Sequence, residues 1–494
     1  WADAHYISAQ RTRISMIEYD TNKLIELGTQ VMERALKKGA TVAEVGVSEG
    51  THLSVKVRMG EPELVEEAGS KSLGLRVMRG QQVAVTHTSD FTPAGLERFV
   101  DDALELANLA QPDPFAGPPD PALLSTISQH PDLQLFDPAV NELDAARAID
   151  IAKRTEKAAL GMDKRLTNSE GANVSRQAGA SVLVTSGGFR GGVRGTYTSI
   201  SVHPVADDAD GKKRGGYYWS ARRFADELET PEAVGMEAAR RTLQKLGSRK
   251  LDTQEVAVIF DPDSGRSILG LLASCINGGA IWRKGSYLLD REGQQVASSL
   301  VNVVDDPLRP RGPGSRPFDG EGLLSRKNSV VEAGILKTFI LDTYSAKKLG
   351  KQSTGNASRG SGGGVGPSTT NFILQPGKQT AEQLLKITDR ALYVTDMMGF
   401  GFNAVTGDFS RGASGFWIEK GERAFPVSEV TISLNLDDML KRIDAIADDL
   451  DHRTSICTPT SPLSARAKRT PMTAPEFGTA RRLALTTPSR TFPP

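Results

Sequence analysis

With two cysteines in 494 residues, Cys275 and Cys457, the chain cannot build a disulfide framework, which fits a reducing compartment. No stretch approaches the ~18 consecutive apolar residues of a membrane span, and the opening WADAHYISAQRTRIS lacks the apolar core of a secretion signal. A soluble cytoplasmic protein without membrane contact is expected. Charge of one sign is missing too: 60 basic against 60 acidic residues leave no electrostatic footprint for direct nucleic-acid binding. Histidine is sparse. His5, His52, His87, His130, His203 and His452 stand alone, no two within a helical turn, so no metal motif is visible.

Glycine, by contrast, is plentiful, with 49 in the chain. The richest segment runs from Met398 to Glu422, where Gly399, Gly401, Gly407, Gly412, Gly415 and Gly421 punctuate polar residues and aromatics. Phe416 and Ile418 alternate with Trp417 and Glu419 as along a strand. Lys420-Gly421 then supplies a turn, and extended character resumes from Phe425 to Val430. This predicts strand, tight hairpin, strand, with a glycine-lined rim in front, where small residues would let another backbone approach.

Periodicity predicts an α+β fold, with mixed, largely antiparallel sheets and flanking helices. Asn22 to Lys38 carries a helical stripe capped by Asp20 or Thr21 and stopped by Gly39. Alternation around Glu49-Gly50 suggests a hairpin between Ala43 and Val57, and a second helix is expected near Leu96 to Leu109. The proline-rich QPDPFAGPPDP, Gln111 to Pro121, reads as a link. The expected units are residues 16–110, 122–250 and 251–457, followed by a disordered Ser/Thr/Pro/Arg-rich tail, 458–494. Gly187-Gly188 and Gly191-Gly192 read as strand irregularities, since they lack the lysine of a P-loop and the spacing of a dinucleotide fingerprint. Arg309 to Pro317 reads as a loop, and Ser358 to Ser368, with its consecutive glycines, as a disordered linker or an ordered lid.

GDFSRGASGFWIE (407–419), LDTYSAKKLG (341–350) and STGNA (353–357) resemble motifs of the TldD/PmbA family, described as a cytosolic metalloprotease system and as modulators of DNA gyrase. The resemblance covers about Met16 to Cys457. In the TldD branch a His-Glu-x-x-x-His helix binds the metal shortly before an Arg-Lys-Gly triplet. Counting back from Arg283-Lys284-Gly285 puts Gly270 and Cys275 at the histidine positions and Leu271 at the glutamate. The chain is therefore similar to the PmbA/TldE branch. The segment Ser264 to Ile276 still reads as a helix, one with its chemistry removed. Cys457 lies where the metal-binding members place a thiolate, and without the histidines it is expected to be inert. Phe318-Asp319-Gly320-Glu321-Gly322 resembles the family's short acidic turn.

The resemblance implies a non-catalytic subunit that takes up no metal, pairs with a TldD-type partner bearing zinc, and holds an unfolded or extended peptide. Thr354, Asn356, Thr406, Asp408, Ser410 and Arg411 are candidate polar contacts, with Gly412 and Gly415 as points of backbone approach. No catalytic residue is assigned. Homodimerisation without the partner, an independent metallopeptidase with a non-standard site, and a non-proteolytic binder of gyrase or of a toxin-antitoxin system are the alternatives.

Overall fold

The computed structural model describes residues 18–209, 211–463 and 484–486. The chain opens with a helix, Thr21–Lys37, whose first turn is held by the Asp20 carboxylate accepting from the backbone N–H groups of Asn22 and Lys23. It then builds one antiparallel sheet from β1 (Val42–Arg58), β2 (Glu61–Arg79), β3 (Gln82–Thr88), β4 (Leu166–Thr185), β5 (Arg190–Asp207), β6 (Lys213–Gly215) and β7 (Tyr218–Arg222). The order is β3-β2-β1-β4-β5-β6, with β7 also on β5. Because β1 pairs with β4 from Glu44–Thr185 to Val57–Ala172, the segments on either side of the 111–121 link share this sheet.

The Glu49-Gly50 pair is not a turn. β1 passes straight through it, hydrogen-bonded to β2 on one side and β4 on the other, and the chain reverses at Met59-Gly60, both with positive φ. A turn signal yields here to pairing on both edges. Similarly, Gly187-Gly188 forms the β4–β5 turn, with Gly188 at φ 106°, while Gly191 and Gly192 lie within β5.

The helices packed on this sheet lie on one face. Val45 and Val47 pack under Thr21–Lys37 and Pro93–Leu109, and Leu53, Val55 and Val57 under Ala145–Leu160 and Pro231–Leu243. These β1 residues alternate and share a face, so Glu44, Gly46, Ser48, Gly50 and His52 project from the other. That second face meets the C-terminal half.

There the strands are β8 (Ala257–Phe260), β9 (Val303–Asp305), β10 (Asn328–Glu332), β11 (Ile335–Leu336), β12 (Ala357–Arg359), β13 (Val365–Pro367), β14 (Phe372–Leu374), β15 (Arg390–Met398), β16 (Asp408–Glu419), β17 (Glu422–Asn435), β18 (Ile456–Cys457), β19 (Ser461–Leu463) and β20 (Ala484–Thr486). They form the sheets β11-β10-β9-β14-β18 and β19-β8-β15-β16-β17-β20 and the β12-β13 hairpin. Parallel β8–β15 and β14–β18 pairs make the fold mixed α+β. The expected hairpin at Lys420-Gly421 is present, both residues at positive φ as a tight two-residue turn requires. Residues 358–368 form most of the β12-β13 hairpin and its flank.

The tail differs from expectation at its start. Thr458, Thr460 and Ser461 are buried, Thr460 bonds to Asp449 through its N–H and its hydroxyl, and β19 pairs with β8. β20 pairs with β17, and the rest of the tail lies outside the described residues. Among the described residues no helix is long and apolar enough to cross a membrane.

Candidate functional site

The helix Pro262–Cys275 begins at Asp261, whose carboxylate accepts from Ser264 N–H and Oγ at 2.7 Å each. Burial pushes Asp261 up to about 7 against those hydrogen bonds. Ile268, Leu269, Leu272 and Cys275 sink into the core beside Val303, Leu374 and Leu392. The positions a metal would need are unsuitable. Gly270 has no side chain and faces Ile456, Leu271 is aliphatic, and Cys275 is fully buried. Burial raises the Cys275 thiol to about 11, and it does the same to Cys457, whose Sγ donates to the Thr454 carbonyl. Neither is a thiolate at neutral pH. Among the described residues no group of three His, Cys, Asp or Glu could hold a metal ion. A zinc ion does not fit this helix.

The predicted contact residues separate into two groups. Thr354 and Asn356, expected to face a substrate, are instead buried. Thr354 Oγ1 accepts from Leu341 N–H at 2.8 Å, and Asn356 Nδ2 donates to Asp305 at 2.6 Å while its Oδ1 accepts from Asn328. They hold loops together. The second group lies along β16 and just before it. Thr406 donates to Asp408, Asn435 Nδ2 donates to the Thr406 carbonyl, and Asp408 and Ser410 line an open groove of about 600 Å³ with Phe402 and Asn435. Arg411 stands over the Phe409 ring at 5.5 Å, its Nε buried without a hydrogen-bond partner among the described residues. Gly412 faces Met398, whereas a Cβ on Gly415 would overlap the Tyr393 carbonyl oxygen of β15. The close approach at Gly415 is therefore made by the chain's own sheet. Around this rim Met398, Phe400 and Val405 are exposed, Phe400 by 96%.

A third place was not legible as a site. The loop at 316–320 and the β12-β13 hairpin close over the helix-free face of the first sheet, leaving a cavity of about 350 Å³ lined by Ser48, Ser181, Leu183, Arg316, Phe318 and Arg359 among others. Glu44, 1% exposed, clamps this junction by accepting from Arg76 at 3.1 Å and Arg359 at 2.5 Å. Burial alone would raise its carboxyl, but the two guanidiniums hold it below the usual range. Arg359 also donates to the carbonyls of Gly320 and Gly363. The acidic turn is satisfied internally: Asp319 accepts from the N–H groups of Glu321, Leu323 and Ala357, and Glu321 from Thr343 N–H and Oγ1. The sequence hint of this place was the Gly/Ser alternation opposite the valines of β1.

Three family models match consecutive parts of the chain: the PmbA/TldA metallopeptidase domain 1 at residues 43–107, its central domain at 138–246 and its C-terminal domain at 253–465. Metalloprotease PmbA of Escherichia coli O157:H7 is 38% identical over 90% of this chain and 95% of its own length. A Haemophilus influenzae PmbA homolog is also 38% identical, over 90% of this chain and 95% of its own. Among solved structures, a candidate modulator of DNA gyrase from Bacteroides thetaiotaomicron superposes with TM-score 0.84 at 24% identity, covering 95% of this chain and 99% of that one. TldE from Thermococcus kodakarensis gives 0.79 at 20%, covering 93% and 100%. At these identities the two structures establish likeness of fold.

Proposed function

The chain belongs to the PmbA/TldD metallopeptidase family, and from that membership we propose that it is a metal-free subunit of a cytosolic peptide-cleaving complex, binding substrate while a TldD-type partner supplies the zinc and the hydrolysis. The observation that carries this reading is the helix Pro262–Cys275, which retains its place in the core but presents Gly270, Leu271 and a buried, protonated Cys275 where ligands and a base are needed. No catalytic step is assigned to this chain.

Two features support the assembling role. Exposed Met398, Phe400 and Val405 form an apolar edge of the kind that marks a protein contact. Asp408, Ser410 and Asn435 line the groove beside it with polar groups suited to the main chain of an extended peptide. A lasting subunit contact would bury more than ~2,000 Å². The test is to purify the chain alone and with its cognate TldD-type partner, measuring molecular size and cleavage of an unfolded peptide. Co-elution and cleavage only in the mixture are expected. A chain that stays separate from the partner would overturn the reading.

A further inference from the structure

The carboxylate that caps the helix Pro262–Cys275 is only half used. Oδ1 of Asp261 accepts both bonds from Ser264, whereas Oδ2 makes no hydrogen bond among the described residues. The residue is 7% exposed, yet Oδ2 is not sealed in: Asp261 lines a pocket of about 150 Å³ between that helix, the helix Pro231–Leu243 and strands β15 to β17. A buried acceptor left open to a small polar pocket is one that a ligand can complete.

The other lining groups select the ligand's charge. Arg240, Arg241, Lys245 and Arg423 bring four cations to the wall, against the carboxylates of Asp261 and Asp396. Three of the cations are committed: Arg240 and Arg241 donate to Glu237, Arg241 also to Asp263, and Lys245 to Asp396 and the Gly215 carbonyl. Arg423 is not. Its Cζ lies 4.7 Å and 5.0 Å from the ring centroids of Tyr393 and Phe416, and it makes no hydrogen bond or ion pair among the described residues. Ring contact holds the guanidinium in place but occupies none of its N–H groups. Arg423 therefore calls for an anion and Asp261 Oδ2 for a hydrogen donor. Sulfate or a carboxylate answers the first and meets the second with lone pairs alone, whereas hydrogen phosphate carries negative charge and an O–H on one tetrahedral group.

We propose that this pocket binds inorganic phosphate, whose oxygens accept from Arg423 and whose remaining O–H donates to Asp261 Oδ2. The proposal does not rest on the peptide reading, and it ties the start of the altered helix to β17. Its pH dependence follows from the charges around Asp261. Asp263 on the same helix opposes ionisation and Arg241 on the neighbouring helix favours it; Asp396 of β15 is balanced by Lys245, Arg240 by Glu237, and Tyr393 stays neutral because burial pushes its phenol up to about 12. Together with burial they leave the Asp261 carboxyl at about 7. Sulfate has no proton to give and binds only where Asp261 holds one, so its affinity should fall about tenfold per unit above pH 7, while hydrogen phosphate brings its own proton.

The test titrates the full chain by calorimetry at pH 8 and constant ionic strength with sodium phosphate, sodium sulfate and O-phosphoserine. Phosphate is expected to bind saturably and roughly tenfold more tightly than the other two, whose oxyanions hold no proton at that pH. Arg423→Met, at an exposed position, should weaken phosphate about tenfold with little change in the melting temperature of the ligand-free chain. Asp261→Asn keeps an acceptor for Ser264 N–H and replaces the open oxygen by an NH₂ donor, so it should bring sulfate up to the level of phosphate. No saturable binding of phosphate to the wild-type chain, or equal binding of phosphate and sulfate, overturns the proposal, and this selectivity decides even where Asp261→Asn does not fold. A phosphate preference that survives in folded Asp261→Asn overturns it too. So does phosphoserine that binds as tightly as phosphate, since it would assign the pocket to a phosphorylated side chain.

Discussion

On β16, Gly415 lies where any Cβ would overlap the Tyr393 carbonyl, while on the central sheet Ser48, Ser181 and Gly46 face an open cavity. Both surfaces are built from small residues. They differ in what fills the space that the small residues leave. At Gly415 it is the neighbouring strand, so the glycine serves sheet pairing; at the central face the space stays open and is bounded by the 316–320 loop and the β12-β13 hairpin. Glycine content marks close approach, and only packing tells whether the approaching group is the chain itself.

The sharpest break of this comparison is Gly415→Val. The β-branched side chain has to displace β15, so the variant is expected to fail to fold or to aggregate, read from soluble yield and circular dichroism. A folded variant with wild-type melting would place the approach outside the sheet after all.

Glu44→Ala comes next, because it leaves Arg76 and Arg359 buried without their shared carboxylate at the border of the central face. The expected loss is about 3–5 kcal/mol by denaturant unfolding, with protease sensitivity rising first in the 358–368 segment that Arg359 ties down. An effect under about 1 kcal/mol would mean that the clamp is not what closes the cavity.

A smaller, pH-dependent effect belongs to Glu321, which anchors the turn forming one wall. Burial, reinforced by the Asp319 carboxylate, pushes it from 4.5 up to about 8. A raised folded pKa contributes stability that is complete below the unfolded value and is lost as the pH climbs through about 8. Glu321→Gln, which can still accept from Thr343, should therefore flatten the decline in stability between pH 5 and pH 8 by roughly 3 kcal/mol. Parallel curves for the two proteins would remove the buried proton from the account. Gly412→Val should have the mildest effect: a Cβ there meets only Met398, at 3.6 Å, and a change of under about 1 kcal/mol is expected. If it matched Gly415→Val, the distinction between the two glycines would disappear.

The first helix, the hairpin at Lys420-Gly421 and the altered helix were legible because each depends on neighbours in sequence: a cap, two positive-φ residues, an apolar stripe. The misread hairpin at Glu49-Gly50 shows the limit, since pairing with β4, more than a hundred residues away, keeps that segment extended. Thr354 and Asn356 were recognisable as a motif, but their burial follows from Asp305 and Leu341, which no local pattern announces. Thr458 heads a segment whose composition reads as disordered, yet it is buried against Gly265, on a helix nearly two hundred residues earlier in the chain. The central cavity is the extreme case, assembled from β1, β4, the 316–320 loop and β12.

The central claim, that this member of the family works without a metal of its own, is tested most directly by zinc content of the isolated chain after dialysis, with peptide cleavage measured on the same sample. The account predicts no tightly held zinc and no cleavage. One zinc per chain, removed by a chelator together with a peptidase activity, would contradict it.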